Sequence, residues 1–211
     1  MDNNEISCCE PNKNDDITKV KFWDDQYKQG NTGWDLKQVS PPIKAYFDQL
    51  VDHKISILIA GCGNAYEAEY LYSLGFEDIT LVDISETLVK SLREKFSHLP
   101  IKILHEDIFQ HGGKYDLIVE QTLFCAIDPS LREDYAKKMH DLLVDNGKLV
   151  GLLFATEFEK AGPPFGGNKE EYEKLFAEYF EFKTFELCYN SIGPRLGNEL
   201  FFIFSKIKFN K

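Results

Sequence analysis

The chain has 211 residues, a length within the range of one α/β domain with additions, and its 43% hydrophobic and 28% charged residues are ordinary for a soluble globular protein. Its formal net charge of -11 disfavours a nucleic-acid-binding surface, because affinity for a phosphate backbone comes mainly from clustered Lys and Arg. The longest apolar runs fall far short of the roughly 20 residues that cross a bilayer, so we expect no membrane partner. These properties favour a small molecule as the partner.

The beginning of the chain and its cysteines indicate the compartment. Residues 1–15 are polar and acidic and lack the features of a secretory signal, so we expect a disordered or mobile tail on a cytoplasmic protein. The cysteines are odd in number and scattered, without the spacing of a zinc site, and we expect reduced thiols and no metal. For the adjacent Cys8 and Cys9, an incidental pair is favoured over a redox-active one. The cysteines are Cys8, Cys9, Cys62, Cys125 and Cys188.

Residues 16–54 predict a helical segment that precedes the main domain. The run "DITKVKFWDDQYKQG" has apolar residues at helical spacing, with Asp16 as a cap and Gly30 as a stop signal. After a loop, Pro41 and Pro42 open a second helix, as expected for proline in a first helical turn. We expect these two helices to form an N-terminal addition to the domain made by residues 55–211.

From Ile55 onward, short β-branched runs alternate with helical patterns, which is typical of a parallel sheet with crossover helices. Two final strands have no helix between them and should pair antiparallel. The prediction is a doubly wound, Rossmann-like α/β sheet of seven strands, five parallel plus an antiparallel C-terminal pair, with helices on both faces. The predicted strands are 55–60, 78–83, 101–107, 115–121, 148–155, 180–190 and 198–209, and the predicted helices are 65–73, 86–96, 131–143 and 170–180.

The turn after the first strand, "AGCGNAYE", holds two glycines of a dinucleotide fingerprint. Gly61 and Gly63 fit the pattern, but Tyr66 replaces the third glycine, which in that fingerprint lets the helix pack closely on the strand. Glu67 then stands in the first helical turn, where an acid complements the helix dipole. A carboxylate there also repels a pyrophosphate but tolerates an ammonium or sulfonium group. The turn therefore favours S-adenosylmethionine (SAM) over a dinucleotide. We interpret Cys62 as a small residue that fills this turn.

Acidic residues stand at the ends of the next three strands. Asp83 comes twenty residues after Gly63, where a carboxylate can accept hydrogen bonds from ribose hydroxyls of either NAD or SAM; the alternative is a cap for the helix near Ser85. Asp107 can accept from an adenine amino group beside the backbone of Ile108, although a lone Asp after a strand is often a turn former. Together with Glu120, these acids predict a ligand-binding edge.

Aromatic residues are concentrated in the N-terminal segment. Trp23 and Tyr27 lie at helical spacing, so core packing is as good an interpretation as a functional role. Trp34 lies in a polar loop and is harder to explain as core. A sulfonium cation over the face of such a ring gains about 0.5 to 2 kcal/mol of cation–π attraction.

These motifs together resemble those of class I SAM-dependent methyltransferases. The similarity rests on "ILIAGCGNAYEAEYL", "LVDIS", "HEDIF" and the terminal strand pair, which cover most of residues 55 to 207. Three further segments are similar to the thiopurine methyltransferase superfamily, and within it to the thiol and halide methyltransferases: "FWDDQYKQGNTGWDLKQVSPP", "EQTLFCAIDPSLREDYAKKM" and "FEKAGPPFGG". The resemblance implies SAM as cofactor and a lid that closes over it.

The resemblance also implies roles for particular residues. Tyr27 stands where a tryptophan is expected in the plant members, and Phe154 stands where those members have a tyrosine, so the same acceptor is not assumed. Arg195 matches an arginine near the pocket and can attract an anionic acceptor. Implied cofactor contacts come from Trp23, Trp34, Gly61, Asp83, Ile84, Asp107, Ile108 and Glu120.

The expected activity is methyl transfer from SAM to a small soft nucleophile, namely a thiol, hydrosulfide, thiocyanate or halide. Such acceptors need no dedicated base, and no catalytic residue is assigned; His105 is expected to be structural and His111 is a weak candidate for a base. The alternatives are another small acceptor such as a thiopurine or metalloid, a nicotinamide-dependent oxidoreductase, and a SAM-sensing protein without activity. The acceptor pocket is expected to be apolar, with Leu123, Phe124, Phe154, Pro163, Pro164 and Phe165.

Overall fold

The computed structural model describes residues 20–160 and 162–208. The predicted tail, the Asp16 cap and the Cys8-Cys9 pair lie outside the described residues. None of the helices in these two ranges combines the length and the apolar character that a bilayer crossing requires.

Seven strands form one mixed sheet in the order β3-β2-β1-β4-β5-β7-β6. The first five strands pair parallel, whereas β7 pairs antiparallel with both β5 and β6. This confirms the predicted sheet. The strands are β1 Ile57–Ala60, β2 Ile79–Asp83, β3 Lys102–His105, β4 Tyr115–Gln121, β5 Leu143–Phe154, β6 Phe180–Leu187 and β7 Glu199–Lys206.

Six α-helices accompany the sheet in the described ranges, and they cover both of its faces. The α5 and α6 side chains pack with one set of strand residues, and those of α2, α3 and α4 pack with the opposite set. Burial on both faces explains why β1 and β2 are apolar along almost their whole length. The helices are α1 Val20–Gln29, α2 Pro41–Phe47, α3 Tyr66–Ser73, α4 Glu86–Lys95, α5 Arg132–Leu142 and α6 Lys169–Phe176.

Several element ends differ from the prediction. The β5 strand begins at Leu143, directly after α5, with a register irregularity in its pairing to β4 between Tyr115 and Leu117. The predicted helix over 170–180 ends at Phe176, because the chain turns and Phe180 already starts β6. These differences do not change the topology.

The strand order determines where a ligand can bind. The chain moves outward from β1 to β2 and β3 in one direction, then returns to the other side of β1 with β4 and β5. In open parallel sheets, ligands bind outside the carboxyl ends of the strands at such a reversal. The carboxyl ends of β1 and β4 are therefore the expected location of the site.

Candidate active site

A cavity of about 570 Å³ opens at the carboxyl ends of β1, β2 and β4, within the usual size range of small-molecule pockets. The structure brings most of the sequence-predicted site residues together around it. Those that line it are Trp23, Tyr27, Trp34, Gly61, Gly63, Glu67, Asp83, Ile84, Asp107, Ile108, Leu123, Phe154, Pro163, Pro164 and Arg195.

Two parts of this cavity differ in chemistry. We call the part formed by Gly61, Gly63, Glu67, Asp83 and Asp107 the carboxylate half. The apolar half is formed by side chains from the end of β5 and from the segments that follow β4 and β5, namely Leu123, Phe154, Phe158, Pro163 and Pro164.

The glycine turn is fixed by its backbone conformation. Gly61 and Gly63 have φ values of 57° and 51°, in the left-handed region where a side chain is strained. A Cβ at Gly61 would also stand 2.8 Å from the Leu123 Cδ1 atom. The turn therefore needs glycine for conformation and for the close approach of Leu123.

Asp83 connects the glycine turn to the end of β2. Its carboxylate accepts from the backbone N–H groups of Gly63, at 3.3 Å, and Ser85, at 3.0 Å. The Ser85 hydroxyl oxygen itself caps α4 by accepting from the N–H of Leu88. Because Ser85 performs the capping, Asp83 is available to the cavity. Burial raises the pKa of the Asp83 carboxyl to about 6.

Glu67 is a second buried carboxylate in the cavity wall. It is 7% exposed, and one of its oxygens accepts from the backbone N–H of Ser40 at 3.3 Å. Burial raises its pKa. In the described part of the chain no Lys, Arg or His forms an ion pair with it.

Asp107 follows β3, which ends two residues earlier at His105. Its carboxylate accepts from the N–H of Phe109 at 2.9 Å, so it does form the local turn that was the alternative interpretation. It also lines the cavity next to Ile108. The Asp107 side chain therefore both stabilises the local turn and forms part of the cavity wall.

The N-terminal segment is attached to the domain through two aspartates. The Asp24 carboxylate accepts from the Ser85 hydroxyl at 2.9 Å and from the Thr87 N–H at 2.7 Å, at the start of α4. The Lys28 ammonium, together with these bonds, holds the pKa of Asp24 well below its usual range. The Asp35 carboxylate accepts from the Asn64 amide at 2.8 Å. Sequence reasoning did not predict the contacts of either aspartate, since no local pattern links them to their distant partners.

The three predicted aromatic residues form a cluster over the cavity. The rings of Trp23 and Trp34 meet edge to face with centroids 5.4 Å apart, and those of Tyr27 and Trp34 do so at 5.8 Å. Desolvation raises the pKa of the Tyr27 phenol and keeps it neutral. All three rings line the cavity and also pack on one another, so both interpretations of these residues apply.

Arg195 lines the cavity but is held by protein groups. One guanidinium nitrogen donates to the Trp34 carbonyl oxygen at 2.8 Å, and another forms an ion pair with Glu199 at 3.3 Å. The guanidinium carbon lies 5.4 Å from the centroid of the Phe154 ring. Its charge is therefore largely committed to linking the N-terminal segment to β7.

Two predicted site residues do not face the cavity. The Glu120 carboxylate accepts from the N–H groups of Leu123 and Phe124, each at 2.9 Å, and from the Tyr135 hydroxyl. Strand alternation points this side chain towards α5, so Glu120 is not among the residues that line the cavity, and its predicted cofactor contact stays a prediction. Phe124 is 1% exposed, packs against Tyr135 and Tyr172, and is likewise absent from the cavity wall, so its place in an acceptor pocket stays a prediction.

Three further expectations concern residues outside the cavity wall. Phe165 is not among the lining residues; its N–H donates to the Cys125 carbonyl at 2.7 Å and joins the two acceptor-side segments. His111 is buried between Glu106 and Tyr115, with ring nitrogens 2.7 Å and 2.9 Å from their oxygens. One His105 ring nitrogen lies 3.0 Å from the Ile84 carbonyl, which agrees with a structural role.

Comparison with solved structures identifies the fold. A Burkholderia thailandensis 1,6-didemethyltoxoflavin-N1-methyltransferase, solved with S-adenosylhomocysteine, matches with a TM-score of 0.70 at 17% identity, covering 90% of this chain and 88% of that one. A Synechocystis magnesium protoporphyrin IX methyltransferase, solved with SAM, matches with a TM-score of 0.61 at 15% identity, covering 94% and 87%. The fold is thus that of Rossmann-like SAM-dependent methyltransferases.

Sequence comparison then gives the family. The thiopurine S-methyltransferase family model matches residues 18–200. A probable thiol methyltransferase 2 of Arabidopsis thaliana is 33% identical over 185 residues, covering 84% of this chain and 81% of that protein. A thiocyanate methyltransferase 1 of Brassica oleracea is 27% identical over 184 residues, with the same coverage. The chain belongs to the thiopurine S-methyltransferase family, and it is a SAM-dependent methyltransferase.

The cavity fits SAM by its own features. The glycine turn gives close access to backbone, Asp83 offers a buried acceptor at the end of β2, and Glu67 offers a second buried carboxyl group. A cationic, nucleoside-containing ligand matches this donor and acceptor set. In the described residues no group of His, Cys, Asp and Glu has the arrangement of a metal site.

Proposed function

We propose that the protein transfers the methyl group of SAM to a small soft nucleophile: a thiolate, hydrosulfide, thiocyanate or halide. The observation that carries this proposal is the apolar half of the cavity, where Leu123, Phe154, Phe158 and the two prolines provide bulk but no general base. The names of the thiol and thiocyanate methyltransferases that it resembles support the same acceptor class.

The carboxylate half would hold the cofactor. Asp83 would accept hydrogen bonds from the ribose hydroxyls, Glu67 would pair with the ammonium group, and Asp107 with the Ile108 backbone would meet the adenine. Each of these groups lies in the cavity wall at the carboxyl end of the sheet. The Trp23, Tyr27 and Trp34 rings would lie over the bound cofactor, where an aromatic face attracts a sulfonium cation.

When bound, SAM supplies a methyl group attached to a cationic sulfur. That sulfur would be the leaving group and would keep the electrons of its bond to the methyl carbon when the acceptor's lone pair takes the methyl group. The protein's part is to align the acceptor and exclude water. The segment 20–40, anchored by Asp24 and Asp35, serves this purpose as a lid.

An anionic acceptor makes a base unnecessary, because no proton has to be removed. The nearby thiols do not supply one, since burial raises the pKa of Cys125 to about 12 and that of Cys62 well above its usual value. His111 is occupied by Glu106 and Tyr115. The site therefore suits acceptors that arrive already ionised.

The test is a SAM-dependent assay with hydrosulfide, thiocyanate, iodide, thiophenol and a thiopurine, following release of S-adenosylhomocysteine. We expect turnover with the small anions and a rate with thiocyanate that stays flat from neutral to alkaline pH. With thiophenol the rate should follow the fraction of thiolate. Turnover of the thiopurine alone, or none with any of these acceptors, would contradict the proposed acceptor class.

A further inference from the structure

Gln121 is the last residue of β4, the strand that lies between β1 and β5 in the sheet. Its strand neighbour Glu120 points towards Tyr135 on α5, so alternation places Gln121 on the opposite face of the sheet. That face is covered by α2, α3 and the N-terminal segment. Gln121 is one of the residues that line the cavity.

The Gln121 carboxamide has no protein partner. Both Nε2 and Oε1 are buried and neither makes a hydrogen bond within the described residues. Leaving such a group unsatisfied costs about 1 to 3 kcal/mol, and buried polar groups in native proteins are nearly always paired. The Gln121 amide is thus buried without a hydrogen-bond partner on a residue that lines a ligand cavity, and rotation of the side chain towards the cavity would bring it to a ligand group that pairs with it.

The register of the sheet assigns Gln121 to the acceptor side. Gln121 is opposite Leu152 on β5, two residues before Phe154 in the apolar half. Its chain continues through Thr122 to Leu123, whose side chain fills the space beside Gly61. The cofactor groups proposed above lie on the other side of that contact, at the ends of β1, β2 and β3.

We propose that Gln121 is a positioning residue that donates a carboxamide N–H to the anionic acceptor and so determines the preference for anions. This inference rests on the proposed function. Arg195 is the cation of this region, but its guanidinium is committed to Trp34 and Glu199. The amide is thus the free donor in the described part of the apolar half.

A neutral donor suits this location better than a cation. A full positive charge next to the sulfonium would repel the cofactor, whereas an amide dipole attracts the anion without that penalty. A strong ion pair would also stabilise the nucleophile before reaction, and such ground-state binding does not accelerate the chemical step. An amide holds the anion in line and leaves its lone pair reactive.

The test compares Gln121→Met, which keeps the length and removes the donor, with Gln121→Glu, which keeps the shape and adds a negative charge. For Gln121→Met we expect the KM for thiocyanate and hydrosulfide to rise about tenfold, the loss of one hydrogen bond to a charged group. For Gln121→Glu we expect a larger rise. The exposed Gln110→Met is the matched control and should match the wild type.

Two further measurements separate this role from a structural one. The dissociation constant of S-adenosylhomocysteine should stay within about twofold in Gln121→Met. Its Tm without ligand should equal or exceed that of the wild type, because an unpaired buried amide is replaced by an apolar group. The inference would be overturned if Gln121→Met had a lowered Tm or an unchanged acceptor KM. It would also be overturned if the variant bound the cofactor as weakly, relative to wild type, as it binds the acceptor.

Binding of thiocyanate to the complex with S-adenosylhomocysteine, followed by calorimetry, provides a readout without turnover. Wild-type binding that Gln121→Met weakens supports the inference. If the wild type is active but Gln121→Met binds thiocyanate as tightly and has the same acceptor KM, the role of Gln121 is overturned. The proposed function then still stands. A wild type that neither methylates nor binds any of the anions overturns both.

Discussion

The two halves of the cavity are built on different principles. The carboxylate half consists of groups at the ends of β1, β2 and β3 and in the first turn of α3, fixed by left-handed glycines and by hydrogen bonds to buried carboxylates. The apolar half consists of segments after β4 and β5, joined by backbone contacts such as that between Phe165 and Cys125. One half can select by charge and hydrogen bonding, and the other by shape and exclusion of water. They meet where Leu123 packs against Gly61.

Replacement of Asp83 by Asn should weaken the carboxylate half most. Loss of a charged acceptor is worth about 2 kcal/mol, so we expect the dissociation constant of S-adenosylhomocysteine to rise about thirtyfold. Calorimetry at neutral pH gives this value. The control is Asp78→Asn, an exposed acid just before the same strand, which should bind normally. Equal affinity of Asp83→Asn and wild type would mean that this carboxylate does not contact the cofactor.

The same carboxylate should make cofactor binding depend on pH. Its pKa in the protein is about 6, so it is ionised above that pH and becomes protonated below it. Because the ionised form is the better acceptor, affinity should be constant from about pH 8 to about pH 7 and fall as the pH drops through 6. Asp83→Asn should show no such fall. A dependence that persists in the variant would assign the titration to another group.

Replacement of Gly61 by Ala should damage the junction between the halves. The left-handed backbone costs about 1 to 2 kcal/mol with a side chain, and the new Cβ meets Leu123 as well. We expect cofactor affinity to fall about tenfold, with a lowered Tm. Gly112→Ala, where a Cβ has open space, is the control. Adding Leu123→Ala to the variant should restore part of the affinity if the steric contact contributes; no recovery would leave backbone strain as the cause.

Replacement of Glu120 by Gln should change the pH dependence of stability. Burial raises the pKa of Glu120 from 4.5 to about 7, so its contribution is fully present below about 4.5 and is lost as the pH rises through 7. A glutamine keeps the neutral form and the bonds to Leu123, Phe124 and Tyr135. Between about pH 5 and pH 8, the variant should gain on the order of 1 to 3 kcal/mol of unfolding free energy relative to wild type.

Denaturant unfolding at several pH values measures this difference. The exposed Glu186→Gln on β6 serves as the control and should follow the wild type at every pH. Parallel curves for wild type and Glu120→Gln would show that the buried carboxyl keeps an ordinary pKa. The result matters for the apolar half, because Glu120 holds the backbone that leads into it.

The carboxylate half was largely predictable from the sequence because its residues stand at strand ends within short motifs. Gly61, Gly63 and Asp83 follow apolar strands whose pattern is unmistakable, and the parallel topology places those ends together. Glu120 also stands at the end of a parallel strand, but its side chain points away from the cavity. The face of the sheet on which a side chain lies can be predicted when polar and apolar residues alternate along the strand. Because β4 is buried on both faces, its sequence shows no such alternation, and the face of Glu120 could not be predicted.

The apolar half and the anchors of the lid were less predictable for a different reason. Asp24 and Arg195 act through partners far away in the chain, and such pairs leave no periodic signal. Phe124 belongs to an aromatic cluster with α5 and α6 whose extent depends on three-dimensional packing. Gln121 was not singled out, because an unpaired amide becomes apparent when every hydrogen bond around it is known.

Replacement of Phe154 by Tyr should have the smallest effect and should be confined to the apolar half. The Phe154 ring lies edge to face with Phe158 at 5.2 Å and beneath the Arg195 guanidinium, so an added hydroxyl enters the cavity without disturbing the carboxylate half. A second donor near Gln121 should alter the ranking of acceptors by about two- to fivefold in kcat/KM, which is below 1 kcal/mol. The dissociation constant of S-adenosylhomocysteine should not change.

Competition between thiocyanate and iodide in one reaction measures the ranking directly, and Phe158→Tyr, on the neighbouring and more exposed ring, is the matched variant. If Phe154→Tyr instead weakened cofactor binding as much as it shifted acceptor ranking, the two halves would be coupled through this ring, and the division of the cavity into separate functions would fail.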